Sequence, residues 1–129
     1  MELDLSDINA EMISARLTDE RISWSKRNRL IKKALSKVFG YKNVRVKQEY
    51  SWVHIIIMAN RPHKGKCRSQ PFDYTYCREC STTKDSIVSM VWHVLKETGL
   101  YSELTFYYTD MGEKREECHI DVRFIDEAV

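Results

Sequence analysis

The chain has 129 residues, of which 43% are hydrophobic and 11% aromatic, and its formal net charge is +2. This length fits one domain, and the apolar share is too high for a disordered chain. The longest apolar run, Val53–Ala59, is interrupted by His54 and is about a third of the length that a membrane-spanning helix needs. The acidic start of the chain lacks the apolar core of a signal peptide, so we expect a cytoplasmic protein without membrane association.

The small net charge conceals a segregated distribution along the chain. Residues 1–20 carry six acids and one arginine, and residues 21–68 carry fourteen lysines and arginines against the single acid Glu49. Residues 69–129 carry twelve acids and six bases. Clustered positive charge attracts polyanions, whereas the net charge alone says little about partners. The middle segment is therefore the first candidate for a binding surface.

Two segments precede the predicted strands. Residues 1–20 form either a short helix or an acidic arm that docks on the basic segment, and the sequence leaves both alternatives open. Residues 25–39 have apolar side chains at helical spacing and predict an amphipathic helix, which Gly40 would end. Basic side chains line the opposite face of this helix: Lys26, Arg29, Lys33 and Lys37, flanked by Arg27 and Lys32.

Two strands and a second helix are predicted next. Residues 42–47 alternate between apolar and basic side chains, and residues 52–59 are rich in β-branched and aromatic side chains. The short gap between these two segments predicts a β-hairpin. Thr82 and Asp85 form a capping-box pattern, which predicts that the second helix begins near Thr82 and ends before Gly99.

The last part of the chain predicts a second hairpin, in which residues 104–109 and 118–125 flank a turn. The element order is then α-β-β-α-β-β over residues 21–129. This order predicts a single α+β domain, in which two helices pack on a four-stranded, mainly antiparallel sheet.

The long connection between the predicted hairpin and the second helix, residues 60–80, contains a pattern typical of metal ligands. His63, Cys67, Cys77 and Cys80 have the spacing H-x3-C-x9-C-x2-C. Zinc takes four nitrogen or sulfur ligands in a tetrahedron, and each end of this pattern would supply two of them. The pattern indicates a structural zinc ion that pins the loop, with its charge offset by basic neighbours: Lys64, Lys66, Arg68 and Arg78.

Two alternatives to zinc stay open for these cysteines. They could be inert thiols, because free cysteine often behaves as a small buried hydrophobe. The C-x2-C pair could also be redox-active, although it is not predicted to open a helix directly after a strand, as the thioredoxin-like motif does.

The basic helix face and the adjoining strand predict a surface that binds nucleic acid. Phosphate backbones bind positive surfaces by releasing counterions, and bases stack on exposed aromatic rings. The predicted phosphate contacts are Lys26, Arg29, Lys33, Lys37, Arg45 and Lys47, and the predicted stacking residues are Tyr50 and Trp52. An acidic protein partner, or a solvated face without a partner, would explain the same charges.

No catalytic motif stands out in the sequence. A Gly-rich phosphate loop, a nucleophile elbow and a zinc-protease helix motif are all absent. His119 and Asp121 share one face of a predicted strand and come nearest to an acid–base pair. We therefore expect a protein that is not an enzyme, with an enzyme acting on nucleotides or nucleic acids as an alternative.

Residues 27–57 combine a basic helix, a glycine with a basic strand, and a hairpin that contains Tyr and Ser. Small accessory domains in the large polyvalent proteins of phages and conjugative elements have a similar order, RxxLKxxF followed by G-x-K-x-x-V-R. Comparable places are held here by Arg29, Leu30, Lys33, Phe39, Gly40, Lys42, Val46, Tyr50 and Ser51. The chain departs from that pattern in lacking the hairpin glycines and in adding the cysteine-bearing loop.

The resemblance implies a small protein from a phage or mobile element. Such proteins bind nucleic acid, or they act as inhibitors or adaptors that bind a component of a host defence system. The family has no settled activity, so the resemblance implies no functional residues.

Overall fold

The structure, a computed structural model, describes residues 3–18, 22–64, 67 and 77–125. Within these residues the chain is of the predicted α+β class, with three α-helices and five β-strands. Their order is α1 (Ser6–Thr18), α2 (Trp24–Phe39), β1 (Val44–Glu49), β2 (Trp52–Ala59), α3 (Arg78–Glu97), β3 (Phe106–Tyr108), β4 (Lys114–Glu116) and β5 (Cys118–Phe124). No helix in this part of the chain combines the length and the apolar character that crossing a membrane requires.

The strands form two sheets, where the sequence predicted one sheet of four strands. β1 and β2 form the predicted antiparallel hairpin, and β5 pairs with β2 in parallel to complete a three-stranded main sheet. β3 and β4 form a separate antiparallel hairpin. The predicted hairpin between residues 104–109 and 118–125 is therefore wrong. The tight turn, in which Thr109 N donates to Glu113 O at 2.9 Å, starts the return strand at Lys114 instead.

The main sheet has an inner face, which packs on the helices, and an outer face. Val53, Ile55 and Ile57 of β2 point inward and are fully buried in the core with the apolar faces of α2 and α3. Because side chains alternate along a strand, the residues between them point outward. The outer face consists of Arg45 and Lys47 of β1, Trp52, His54, Ile56 and Met58 of β2, and His119, Asp121 and Arg123 of β5.

The segment 6–18 is helical and packs against α2. Its apolar side chains Ile8, Met12 and Ala15 are buried in the core. At its other end, Arg16 donates to the Gly99 carbonyl oxygen at 3.1 Å. The acidic side chains of α1 consequently lie against the basic face of α2.

Helix α3 begins at Arg78, four residues before the predicted start. Cys77 is its N-cap residue, with φ −64° and ψ 168° typical of extended backbone, and the Ser81 N–H donates to the Cys77 carbonyl at 2.9 Å. The capping-box pattern of Thr82 and Asp85 lies inside the helix. The C-x2-C pair therefore opens a helix, and the strand that precedes it among the described residues, β2, ends at Ala59.

Arg27 lies inside the protein, although the sequence predicted it at the edge of the basic helix face. Only 1% of its surface is exposed. Its guanidinium donates to Gln48 Oε1 at 2.8 Å and to the Glu103 carbonyl at 3.3 Å. Burial lowers the pKa of this guanidinium below its ordinary value. Arg27 thus connects α2 to β1 and to the 3-10 turn Leu100–Glu103.

Replacing Arg27 by lysine is expected to lower the free energy of unfolding by about 2–3 kcal/mol, because one ammonium group cannot keep both hydrogen bonds of the buried guanidinium. The matched control is Arg29→Lys on the exposed side of α2, which we expect to change stability by less than about 0.5 kcal/mol. Urea denaturation measures both values. Equal stability of the two variants would show that Arg27 does not hold these elements together.

Candidate metal centre and outer sheet face

The four predicted metal ligands come together beside the first turn of α3. His63 Nε2 lies 3.3 Å from the Sγ atoms of both Cys77 and Cys80 and 3.8 Å from Cys67 Sγ. The sulfur atoms of Cys67 and Cys80 are 3.6 Å apart, and all four candidate ligand atoms lie within 4.8 Å of one another. This arrangement of three cysteines and one histidine is compatible with structural zinc.

The separations can be compared with those around a tetrahedral ion. Zn–S bonds of about 2.3 Å and Zn–N bonds of about 2.0 Å place two sulfur ligands about 3.8 Å apart, and a nitrogen and a sulfur about 3.5 Å apart. The 3.6 Å between the sulfurs of Cys67 and Cys80, and the 3.3, 3.3 and 3.8 Å between His63 and the three sulfurs, agree with these values. Four of the six separations between the ligand atoms therefore match a tetrahedral set, and the other two lie within 4.8 Å.

The start of α3 and the burial of the cluster shift the pKa values of its members. The backbone N–H of Cys80 lowers the pKa of Cys77 to about 6, and the Cys77 N–H, 3.4 Å from Cys67 Sγ, lowers the pKa of Cys67. Burial raises the pKa of Cys80 to about 12. Hydrogen bonding to Cys77 and Cys67 raises the pKa of His63 to about 9. Backbone amides at a helix N-terminus commonly favour thiolates in this way.

Arg61 is the basic residue at the cluster that the sequence did not single out. Its Nη1 atom lies 3.3 Å from Cys67 Sγ and 3.5 Å from Cys80 Sγ, and its guanidinium stacks 4.8 Å from the Phe124 ring. The basic residues that the sequence predicted to offset the charge of the zinc site are placed differently from Arg61. Lys64 and Arg78 are exposed and make no described contact with the sulfurs, whereas Lys66 and Arg68 lie outside the described residues. The only advance signal for Arg61 was its position two residues before His63.

The predicted phosphate-binding face of α2 is occupied by the acidic side chains of α1. Lys37 Nζ lies 2.6 Å from Asp7, Lys33 Nζ lies 3.1 Å from Glu11, and Arg29 lies 3.7 Å from Glu11. The ion pairs raise the pKa of Lys33 and lower that of Asp7. Such exposed pairs contribute little to stability, because water and salt screen them. This face is therefore not the open cationic surface that the sequence predicted.

The other three predicted phosphate contacts differ from these. Arg45 and Lys47 are exposed on the outer face of β1, and neither forms an ion pair with any residue that the structure describes. Lys26 is half-buried in the first turn of α2, where its backbone N–H donates to the Ser23 side chain at 3.2 Å. The predicted phosphate contacts that are exposed and have no ion-pair partner among the described residues are therefore Arg45 and Lys47. They lie on the sheet and not on the helix.

Three rings form a cluster on the outer sheet face beside these cations. The centroids of His54 and His119 are 5.1 Å apart, and the Trp52 centroid lies 6.4 Å from His54 and 6.0 Å from His119. His54 Nδ1 is 3.8 Å from Glu49, while its buried Nε2 has no hydrogen-bond partner among the described residues. Tyr50, the other predicted stacking residue, lies apart from this cluster at the β1–β2 turn, with 93% of its surface exposed.

In the candidate acid–base pair of β5, His119 and Asp121, the aspartate forms an ion pair with Arg123 instead of with the histidine. Asp121 Oδ2 accepts a hydrogen bond from Arg123 Nε at 2.9 Å, and His119 belongs to the ring cluster.

Comparison of the chain with protein-family models, with curated proteins and with solved structures finds no match. The metal cluster and the outer sheet face are therefore the features from which a function can be inferred.

Proposed function

We propose that this protein binds nucleic acid through the outer face of its main sheet and that zinc holds the loop next to this sheet. The observation that carries the proposal is the cluster of Trp52, His54 and His119 beside the exposed Arg45 and Lys47. The resemblance of residues 27–57 to phage accessory domains supports the same function and a mobile-element origin.

The zinc proposal depends on the number and spacing of the ligands. Three thiols and one imidazole complete a tetrahedral set, which leaves no open position for water or substrate, and such closed sites are structural. The set joins residues 63 and 67 to the first turn of α3. Arg61 would donate to the sulfurs and offset the negative charge of three thiolates, as partners of metal ligands commonly do.

Protein purified without a metal-affinity tag is expected to contain about one zinc per chain by elemental analysis. Cys77→Ser is expected to lose the metal and to lower the melting temperature by about 10 °C or more, because a structural ion contributes its binding free energy to folding. A chelator should have the same effect on the wild type.

The matched control for this experiment is Cys118→Ala, since Cys118 is the only cysteine outside the cluster. This variant is expected to keep one zinc per chain. A wild-type protein with less than about half an equivalent of zinc, and with a melting temperature that a chelator does not change, would contradict a structural zinc ion.

The nucleic-acid proposal depends on the positions of cations and rings on one face. Arg45 and Lys47 are two residues apart on β1, so their side chains leave the sheet about 6.7 Å from each other. Lys47 is paired with His54, and His54 with His119, across the three strands. Phosphates at the β1 edge would therefore leave the bases over the rings, where each stacked base contributes about 1–3 kcal/mol.

The basic face of α2 is a secondary surface in this proposal. Phosphates would have to displace Asp7 and Glu11 from Arg29, Lys33 and Lys37 before they could bind there. Arg45 and Lys47 have no such competitor among the described residues. We therefore assign the main phosphate contacts to β1.

The double variant Arg45→Gln, Lys47→Gln is expected to weaken the binding of a fluorescent single-stranded oligonucleotide by about tenfold or more. It should also reduce the slope of log affinity against log salt by about 1.4, because each phosphate contact on a single strand contributes about 0.7. Fluorescence anisotropy over a salt series measures both quantities.

The matched control is Lys33→Gln, Lys37→Gln, which removes the same charge from the ion-paired helix face. We expect this variant to change the affinity and the slope much less. A larger loss in the control than in the sheet variant would move the binding surface to α2. Unchanged mobility of DNA and RNA at about 50 mM salt would remove the nucleic-acid proposal altogether.

Trp52→Ala is expected to weaken single-strand binding by about five- to 150-fold, because it removes a stacking ring. Trp24→Ala provides the control, since Trp24 is exposed and lies on α2, whereas Trp52 is half-buried on the outer face of β2. Equal affinities of the two variants would show that the ring cluster does not contact bases.

A protein-binding inhibitor or adaptor is the second candidate function. Its support is the β3 strand, whose consecutive residues Phe106, Tyr107 and Tyr108 are 47%, 51% and 65% exposed. Exposed aromatic clusters often mark protein interfaces. Binding of a host protein that is lost in Tyr108→Ala, together with no affinity for oligonucleotides, would favour this candidate over the first.

A further inference from the structure

A cleft of about 410 Å³ lies where the outer sheet face meets the β3–β4 hairpin. Trp52 and His119 line it from the main sheet, Tyr107 lines it from the hairpin, and Glu116 and Glu117 line it where β4 passes into β5. Its volume is within the range of about 300–1,000 Å³ that is typical of small-molecule sites. The cleft is continuous with the ring cluster, since both contain Trp52 and His119.

Hydrogen bonds fix both the backbone and the carboxylate of Glu117. Its backbone N–H donates to the Thr105 carbonyl at 2.7 Å, and its carbonyl accepts from the Val53 N–H at 3.0 Å. The Ser51 hydroxyl donates to Glu117 Oε2. The other oxygen, Oε1, accepts no hydrogen bond from a residue in the described part of the chain, and Oε2 keeps a second lone pair, so both oxygens can accept from a ligand.

The neighbouring carboxylate of Glu116 is also held by a hydrogen bond. The Tyr101 hydroxyl donates to Glu116 Oε1 and lowers the pKa of this carboxyl below its ordinary value. An ionised carboxylate only accepts hydrogen bonds. The polar end of the cleft therefore selects a ligand group that donates, while Trp52 and Tyr107 provide aromatic surfaces against which a flat group can stack.

We infer that this cleft takes one unpaired guanine base of the bound strand, with its Watson–Crick edge on Glu117. Guanine carries two neighbouring donors on that edge, N1–H and the N2 amino group. Uracil, thymine, cytosine and adenine lack two neighbouring donors on this edge. Each places an acceptor beside its donor, and that acceptor would face the carboxylate. In a duplex this edge is already paired, so the cleft also selects single strands. The inference rests on the proposed nucleic-acid binding and adds its base preference.

The test compares the wild-type affinities for three eight-nucleotide strands by fluorescence anisotropy. One is oligouridine, the second has a single central guanosine, and the third has inosine, which lacks the N2 amino group, at that place. A bidentate contact discriminates between bases by about five- to 150-fold. We expect the guanosine strand to bind more tightly than oligouridine by a factor in this range, with the inosine strand between them. The deoxyribose strands should keep the same order.

Glu117→Gln tests the carboxylate itself. The amide presents a donor as well as an acceptor, so the guanosine preference should fall below about twofold. Affinity for oligouridine should stay equal or rise, because a negative charge near the phosphates is removed. Glu113→Gln, in the exposed β3–β4 turn, makes the same change of charge and should keep the preference.

Two outcomes would overturn the inference in different ways. If the wild type binds all three strands with equal affinity, the guanine preference is wrong and the proposed sheet-face binding stands. If none of the three strands binds, the proposed function itself fails, and the preference fails with it. The comparison of guanosine with inosine needs no variant protein, so a folding defect in Glu117→Gln cannot obscure it.

Discussion

The alternation of side chains along β2 is the constraint on which the rest of the structure depends. Val53, Ile55 and Ile57 bury one side of this central strand in the core, and that burial requires Trp52 and His54 to point to the other side. A register shift by one residue would expose the apolar set and bury the polar one. The stability of the core and the position of the outer rings therefore have the same origin.

The acidic and basic segments of the chain partly neutralise each other, because helix α1 packs against helix α2. The acidic side chains of α1 lie on the basic face of α2, with Asp7 close to Lys37 and Glu11 close to Lys33. These ion pairs reduce the excess positive charge of residues 21–68 on α2, whereas the charges of Arg45 and Lys47 remain on β1.

The sequence predicted those features that depend on neighbouring residues, but not those that depend on distant ones. Periodicity was sufficient for α2 and for the β1–β2 hairpin, and ligand spacing was sufficient for the cluster around Cys77. The parallel pairing of β5 with β2 joins segments about sixty residues apart in the chain, for instance Ile55 with Ile120, and no local pattern encodes it. Burial of Arg27 likewise requires acceptors from two distant elements, Gln48 of β1 and Glu103 of the 3-10 turn. The early start of α3 follows from a cysteine N-cap that propensities do not favour.

The parallel pairing of β2 with β5 also has a consequence for how the chain acquires its fold. β2 keeps one edge with unsatisfied amides until β5, the last described strand, is available to pair with it. The contacts that complete the main sheet therefore join residues about half the chain length apart, a topology associated with slow folding. An ion bound early by the connection between β2 and α3 would shorten the effective loop that has to close. Metal supply would then influence the rate at which newly made chains mature, and how long their apolar surfaces remain open to aggregation.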